Sequence, residues 1–227
     1  MTTPVHLYFV LDHSGSMAAI RDDVIGGFNS FVDEQRKQPG ECLVTLVQFD
    51  SQDPYEVLFD AVPLSELSAL AHDNFQPRGN TPLYDAMGHS IANAAIRMEK
   101  RAAAGRGAEQ ILFVTMTDGQ ENASREYTKD KVFAAITART ESGWTFAYLG
   151  ANQDAFAEGG AIGYAAGSTR GYNATAQGTA GAFASLSRAT SGYRSRVSTG
   201  TAQGTDFYAD DENVSDADRA VEPPTSR

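Results

Sequence analysis

Asp12, Ser14 and Ser16 form a D-x-S-x-S pattern, LDHSGSM over residues 11–17, directly behind the apolar run Val5-His6-Leu7-Tyr8-Phe9-Val10. A carboxylate followed by two spaced hydroxyls can do three things. The oxygens can hold a hard divalent cation, Mg²⁺, Mn²⁺ or Ca²⁺, which such donors suit better than they suit zinc. One of the groups can serve as a nucleophile. Or the residues can simply cap a helix, because Ser and Asp are common N-caps. Two further segments bear on the choice. Gly79-Asn80-Thr81-Pro82-Leu83-Tyr84-Asp85-Ala86 offers a hydroxyl from a loop entering a helix. Thr115-Met116-Thr117-Asp118-Gly119 offers a second carboxylate at a strand end, with a glycine permitting a sharp exit.

These residues are far apart in the chain, so the fold must gather them. Short apolar runs rich in β-branched and aromatic residues alternate with longer segments of helical periodicity. Strands are expected over 5–11, 42–49, 55–62, 110–116 and 144–149, with a last edge strand over 168–173. Helices are expected over 17–38, 82–104, 128–140, 154–164 and 177–188, and a short one over 65–70. Val132, Phe133 and Ile136 are expected on one side of their helix. The short link Asp50-Ser51-Gln52-Asp53-Pro54 predicts an antiparallel hairpin. The fold class is therefore α/β: a doubly wound, mostly parallel six-stranded sheet with one antiparallel edge strand and helices on both faces. In such sheets functional groups gather beyond the carboxyl ends of the strands, where Asp12 and Asp118 both fall.

The order D-x-S-x-S, then T-P-L-x-D-A at Thr81, then T-D-G at Asp118, resembles the von Willebrand factor type A family and its metal-ion-dependent adhesion site. Strand and helix order agrees with that Rossmann-like fold from residue 5 to about residue 190. The resemblance implies that Ser14, Ser16 and Thr81 coordinate the ion through hydroxyls, while Asp12 and Asp118 contribute directly or through water. All five ligand positions are present. Neutral hydroxyls leave most of a divalent charge uncompensated, so an Asp or Glu carboxylate from a partner protein can complete the shell. Mg²⁺ is the first expectation for the ion, with Mn²⁺ or Ca²⁺ as alternatives.

Around that set, His13, Gln120 and Glu121 are expected on the partner-facing rim. Asn122 borders the site as well. Asp85, one turn into the helix after Thr81, is expected to hydrogen-bond a loop rather than ligate. His6, His72 and His89 share no metal-binding spacing. An enzyme reading finds little support. Haloacid-dehalogenase phosphatases resemble D-x-D after the first strand, but Ser14 stands where the second acid would be. Neither a G-x-S-x-G elbow nor a G-x-x-x-x-G-K-[ST] loop occurs.

The formal net charge of −11 argues against nucleic acid or an anionic membrane as the main partner. Cys42 is the sole cysteine, so no intrachain disulfide can form, which fits a reducing compartment. The first residues lack a basic stretch ahead of an apolar core, and no run approaches the ~20 apolar residues of a membrane helix. The expectation is a cytoplasmic domain over 1–195 and an acidic, polar tail over 196–227, disordered or loosely packed. Thr-Ala-Gln-Gly-Thr occurs at 175–179 and again at 201–205, with no role assigned. Family members of this kind act as adaptors, so an ATPase or a kinase-pathway protein is the expected partner. The alternatives are a structural part of a phage-derived or secretion-related assembly and, less favoured, a metal-dependent phosphohydrolase.

Overall fold

Every residue of β1 (Val5–Asp12) is buried, which is why its sequence is a continuous apolar run rather than an alternation. β1 pairs in parallel with β2 (Cys42–Phe49) on one side and with β4 (Gln110–Thr117) on the other. β5 (Thr145–Ala151) and β6 (Thr169–Tyr172) extend the parallel sheet beyond β4. β3 (Glu56–Pro63) pairs antiparallel with β2 and forms the opposite edge. The strand order is β3-β2-β1-β4-β5-β6, so successive crossovers run in opposite directions on either side of β1. The computed structural model describes residues 3–151, 154–202, 206–208 and 211.

Two apolar layers sandwich the sheet. On one face α1 (Arg21–Arg36) and α5 (Ala176–Thr199) pack against β1, β2 and β5, with Phe9 meeting Phe28 edge-on. On the other, α2 (Leu83–Ala103), α3 (Lys129–Glu141) and α4 (Ala155–Ala161) cover Tyr8, Phe113 and Tyr148. This is the doubly wound arrangement read from the alternation of runs. No helix among the described residues is long and apolar enough to cross a membrane.

Four local expectations need correcting. Residues 65–70 are not a helix: only a single 3₁₀ turn, Leu64–Glu66, forms there. Side chains of α1 take up its backbone groups, with Arg36 donating to Leu64 O and Leu67 O and Asn29 bonding Leu70 through both N and O. On α3, Val132 and Ile136 are buried, but Phe133 is 46% exposed because its position lies off their i, i+4 line. The final helix continues to Thr199, past the expected end at 188 and past the domain boundary placed at 195. Tyr193 and Arg194 explain the extension, since both are buried and Arg194 donates to carbonyls at the end of α1.

The fourth concerns the tail. Phe207 and Tyr208 are fully buried, Phe207 against Tyr193, and Tyr208 lies beneath Arg170 with 4.6 Å between guanidinium and ring. Asp211 accepts from Ser185 Oγ and from Arg188 Nε, the latter at 2.8 Å. These residues of the expected loose segment are packed, because two aromatic side chains complete the apolar layer beside α5. The remainder of that expectation, 203–205, 209–210 and 212–227, lies outside the described residues.

Candidate metal centre

The crossover reversal at β1 and β4 opens a crevice at the carboxyl ends of two adjacent parallel strands. Asp12 ends β1 within it, fully buried. Its Oδ1 accepts from Ser14 N at 2.7 Å, so the turn that follows folds back over its own carboxylate. Its Oδ2 accepts from Thr117 Oγ1 at 2.5 Å, which ties β1 to the last residue of β4. The next residue, Asp118, accepts from Ser16 Oγ at 2.6 Å. Ser16 thereby spends its proton, and Ser14 Oγ, 3.1 Å away, can donate to it in turn. Ser14 makes no side-chain cap to the 3₁₀ turn Gly15–Ile20 that it precedes, so capping does not account for it.

Thr81 arrives from the third loop. Its backbone is fixed on both sides: Thr81 N donates to Asn122 Oδ1 at 2.9 Å, and Asn122 N donates to Thr81 O at 3.1 Å. A Cβ placed on Gly119 would lie 3.0 Å from Thr81 Oγ1 and 3.7 Å from Ser16 Oγ, which puts both hydroxyls beside the exit from β4. Only a residue without a side chain fits there comfortably. The loop that carries Thr81 is pinned at its start by Gly15 N, which donates to Gly79 O at 3.1 Å, and by Arg78 N, which donates to His13 O at 2.8 Å. Gly79 has a φ of +67°, and a Cβ on it would sit 2.5 Å from Ser51 Oγ. The loops after β1, β2 and β4 and the start of α2 are thus one hydrogen-bonded assembly.

The electrostatics of this assembly fit a cation. Burial pushes the Asp12 carboxyl up to about 6, against the pull of its bonds to Thr117 and Ser14, and burial also raises Asp118. Neither carboxylate has an ion-pair partner among the described residues. Among those residues no group of three or more His, Cys, Asp or Glu converges. The set here is different in kind: two carboxylates and three hydroxyls, all hard oxygen donors of the sort that Mg²⁺, Mn²⁺ and Ca²⁺ take. Asp12, Ser14 and Thr81 are buried, whereas Ser16 is exposed and Asp118 partly so. The cluster therefore opens to solvent on one side.

The structure brings together the five expected ligands and redistributes their neighbours. Gln120 is exposed at the opening, where its Nε2 donates to Glu158 Oε1 at 3.1 Å. His13 is not a rim residue. It is 3% exposed, its ring packs on Phe75, and its Nε2 accepts from Gln76 N at 2.6 Å. Burial lowers its pKa, so it is a neutral brace with Nδ1 turned to Asp50 Oδ2, 3.3 Å away. His13 N donates to Phe49 O at 2.9 Å and its O accepts from Arg78 N at 2.8 Å, so the residue is held between the neighbouring strand and the loop leading to Thr81. Glu121 is not free for a partner either: its carboxylate accepts from Tyr84 N, Ala123 N, Ser124 N and Ser124 Oγ. A carboxylate beside the N-terminus of α2 finds unpaired N–H groups there, and they claim it. Asp85 accepts from Arg125 N, Glu126 N and Tyr127 N, so its carboxylate braces the stretch leading into α3 rather than any of the five expected ligands.

Two positioning groups were missed. The T-D-G pattern alone gives Thr117 no role, yet its place at the end of β4, one residue before Asp118, sets its hydroxyl against Asp12 on the neighbouring strand. Asp50, fully buried at the end of β2, binds Gln52 N at 2.6 Å and Arg78 Nε at 2.7 Å, holding the Thr81 loop from below. Nothing in its local sequence distinguishes it from an ordinary turn aspartate.

Residues 6–183 match the family model for the von Willebrand factor type A domain. The chain belongs to that family. Solved structures agree on the fold of this type A domain. It is similar to the pilus adhesin SpaC of Lactobacillus rhamnosus GG in its open conformation, at 13% identity and a TM-score of 0.61, over 82% of this chain and 30% of that one. It is also similar to proximal thread matrix protein 1 of the mussel byssus, at 16% identity and a TM-score of 0.56, over 84% and 46%. A von Willebrand factor type A protein from Catenulispora acidiphila aligns at 11% identity and a TM-score of 0.53, over 84% and 43%. This domain spans less than half the length of each. A search of the curated proteins returns no match.

Proposed function

We propose that this type A domain is a metal-ion-dependent protein-interaction module. Asp12, Ser14, Ser16, Thr81 and Asp118 would hold a divalent cation, Mg²⁺ first, and an Asp or Glu carboxylate of a partner protein would complete its coordination. When bound, the ion supplies an electrophilic point on the surface. The chain's own residues aim the donors: Thr117 and Ser14 N fix the Asp12 carboxylate, and Asn122 fixes Thr81. The observation that carries the reading is the convergence of the loops after β1 and β4 with the segment entering α2, with Ser16 Oγ 2.6 Å from Asp118 Oδ1 and Gly119 crowded between Thr81 and Ser16. Binding is preferred over catalysis because Ser14 occupies the position of a phosphatase's second acid and cannot donate and accept a proton as that acid does. A cytoplasmic adaptor serving an ATPase or a kinase pathway is the role we assign.

Thermal unfolding with and without Mg²⁺ or Mn²⁺ tests the site. At a hundredfold excess over Kd, ligand binding stabilises a native state by about 2.7 kcal/mol, a rise of roughly 5–10 °C for a domain of this size. Asp12→Ala and Asp118→Ala should abolish that rise. An equal rise in the variants contradicts the assignment, as would metal-dependent turnover of an aryl phosphate that disappears in Asp12→Asn.

A further inference from the structure

The sheet face around β2 and β3 is left uncovered where α2 runs toward its C-terminus. A groove of about 750 Å³ lies there, walled by β3 on one side and the last turns of α2 on the other. Val57 and Ile96 face it from opposite walls and are 40% and 47% exposed, two of the four exposed large apolar side chains among the described residues. Its charge is the reverse of the molecule's. Arg97, Lys100, Arg101 and Arg106 line it against a single acid, Asp60, in a chain of net charge −11.

The four cations differ in how they are held. Arg97 and Arg101 reach down to the buried Glu109 carboxylate, at 3.1 and 3.0 Å, and are tethered by it. Lys100 and Arg106 are exposed and have no ion-pair partner among the described residues. α2 spans about 30 Å at 1.5 Å per residue. Its first turn stands at the metal centre and its last at the groove, so the two surfaces are separate.

We propose that this groove docks an extended acidic segment of a protein partner. Its carboxylates would meet Lys100 and Arg106, and an apolar side chain would lie between Val57 and Ile96. Charge complementarity selects the acid, and the apolar walls select a peptide over a nucleic acid. Two free cations in a strongly acidic chain make a poor phosphate track, because affinity for nucleic acid grows with the number of phosphates neutralised.

Fluorescence polarisation of a labelled decapeptide of alternating glutamate and valine tests the proposal, with an alternating lysine–valine decapeptide and a single-stranded oligonucleotide as comparisons. The glutamate peptide should bind, and the paired change Lys100→Glu with Arg106→Glu should weaken it at least tenfold while leaving the melting temperature unchanged. A chelator and Asp118→Ala should leave binding as it was. The proposal is overturned if the lysine peptide or the oligonucleotide binds as well or better, or if the charge reversal has no effect. Loss of binding on chelation would move the peptide to the metal centre and equally overturn it.

Discussion

Ser16 Oγ donates to Asp118 Oδ1 at 2.6 Å, joining two loops 102 residues apart in the chain. The bond places a neutral hydroxyl and a carboxylate at the mouth of a crevice whose floor is the buried Asp12. Such an arrangement has little use for stability, because Ser16 is exposed and Asp118, partly exposed, has no ion-pair partner among the described residues. It is the arrangement the proposed cation site requires.

Thr117 should prove a positioning residue. Its hydroxyl donates to Asp12 Oδ2, and Thr117→Val keeps the shape while deleting the proton. Groups that orient metal ligands typically matter ten- to a hundredfold in affinity. Calorimetric titration with Mn²⁺ should show a loss of that size, with Thr117→Ser restoring most of it. An affinity unchanged in the valine variant would show that Asp12 is oriented by Ser14 N alone.

Glu121 and His13 should behave as structural residues. Glu121→Ala leaves the part-buried N–H groups of Tyr84, Ala123 and Ser124 without their acceptor and should cost about 1 kcal/mol, the lower end for a donor left unmet. Gln120→Ala, at an exposed position, should fall within about 0.5 kcal/mol of the parent. Urea unfolding of the two variants separates the roles, and equal midpoints would return Glu121 to the rim.

Stability should fall in acid by two routes at the amino ends of the strands. His6 Nδ1 lies 2.9 Å from Glu109 Oε2, and His6 Nε2 lies 2.9 Å from Thr45 Oγ1. Burial lowers the His6 pKa, so the unfolded chain takes up a proton below about 6.5 that the native one resists, and stability declines as pH drops through that value. Burial alone would raise Glu109, but its bonds to His6 and Arg97 prevail and bring it down to about 2. Its contribution is full above the ordinary carboxylate pKa near 4.5 and is lost as pH falls from there toward 2. Melting temperatures from pH 7.5 to 3 should show both declines, and His6→Gln should lessen the upper one, the rest belonging to His13, whose pKa burial also lowers. Burial raises Asp12 to about 6 and works in the opposite sense over the same window, so the comparison that decides is with His6→Gln: a profile between pH 7 and 5 identical to the parent's contradicts the His6 contribution.

The segment after α5 should matter to the core. Phe207→Ala empties a fully buried site and should cost about 3–5 kcal/mol. A chain ending at residue 199 should melt well below the full chain. Equal melting of the two would show that Phe207 and Tyr208 contribute nothing.

What could be read from the residues alone divides along physical lines. The order of elements was legible because a buried parallel strand must be a continuous apolar run, and that order alone puts Asp12 and Asp118 at one end of the sheet; joining Ser14, Ser16 and Thr81 to them rested on the family resemblance. The roles of His13, Glu121 and Asp50 were not. Each depends on which backbone N–H groups a folded loop brings to it, and Gln76 N, Tyr84 N and Gln52 N come near only once three loops have met. The burial of Phe207 was hidden for a related reason. Two aromatic residues in a polar, acidic stretch carry no periodicity, and the apolar layer they complete lies against α5 and β6. The groove beside α2 was equally invisible, since it is defined by what fails to cover β2 and β3.

Electron paramagnetic resonance of Mn²⁺ tests the central claim most directly. Free Mn²⁺ gives a sharp six-line signal that collapses when the ion is bound. The parent protein should quench one equivalent, and Ser14→Ala with Ser16→Ala, like Asp118→Ala, should leave the signal free. A parent protein that leaves the Mn²⁺ spectrum unchanged, or either variant quenching it equally, would contradict a metal centre built from these five residues.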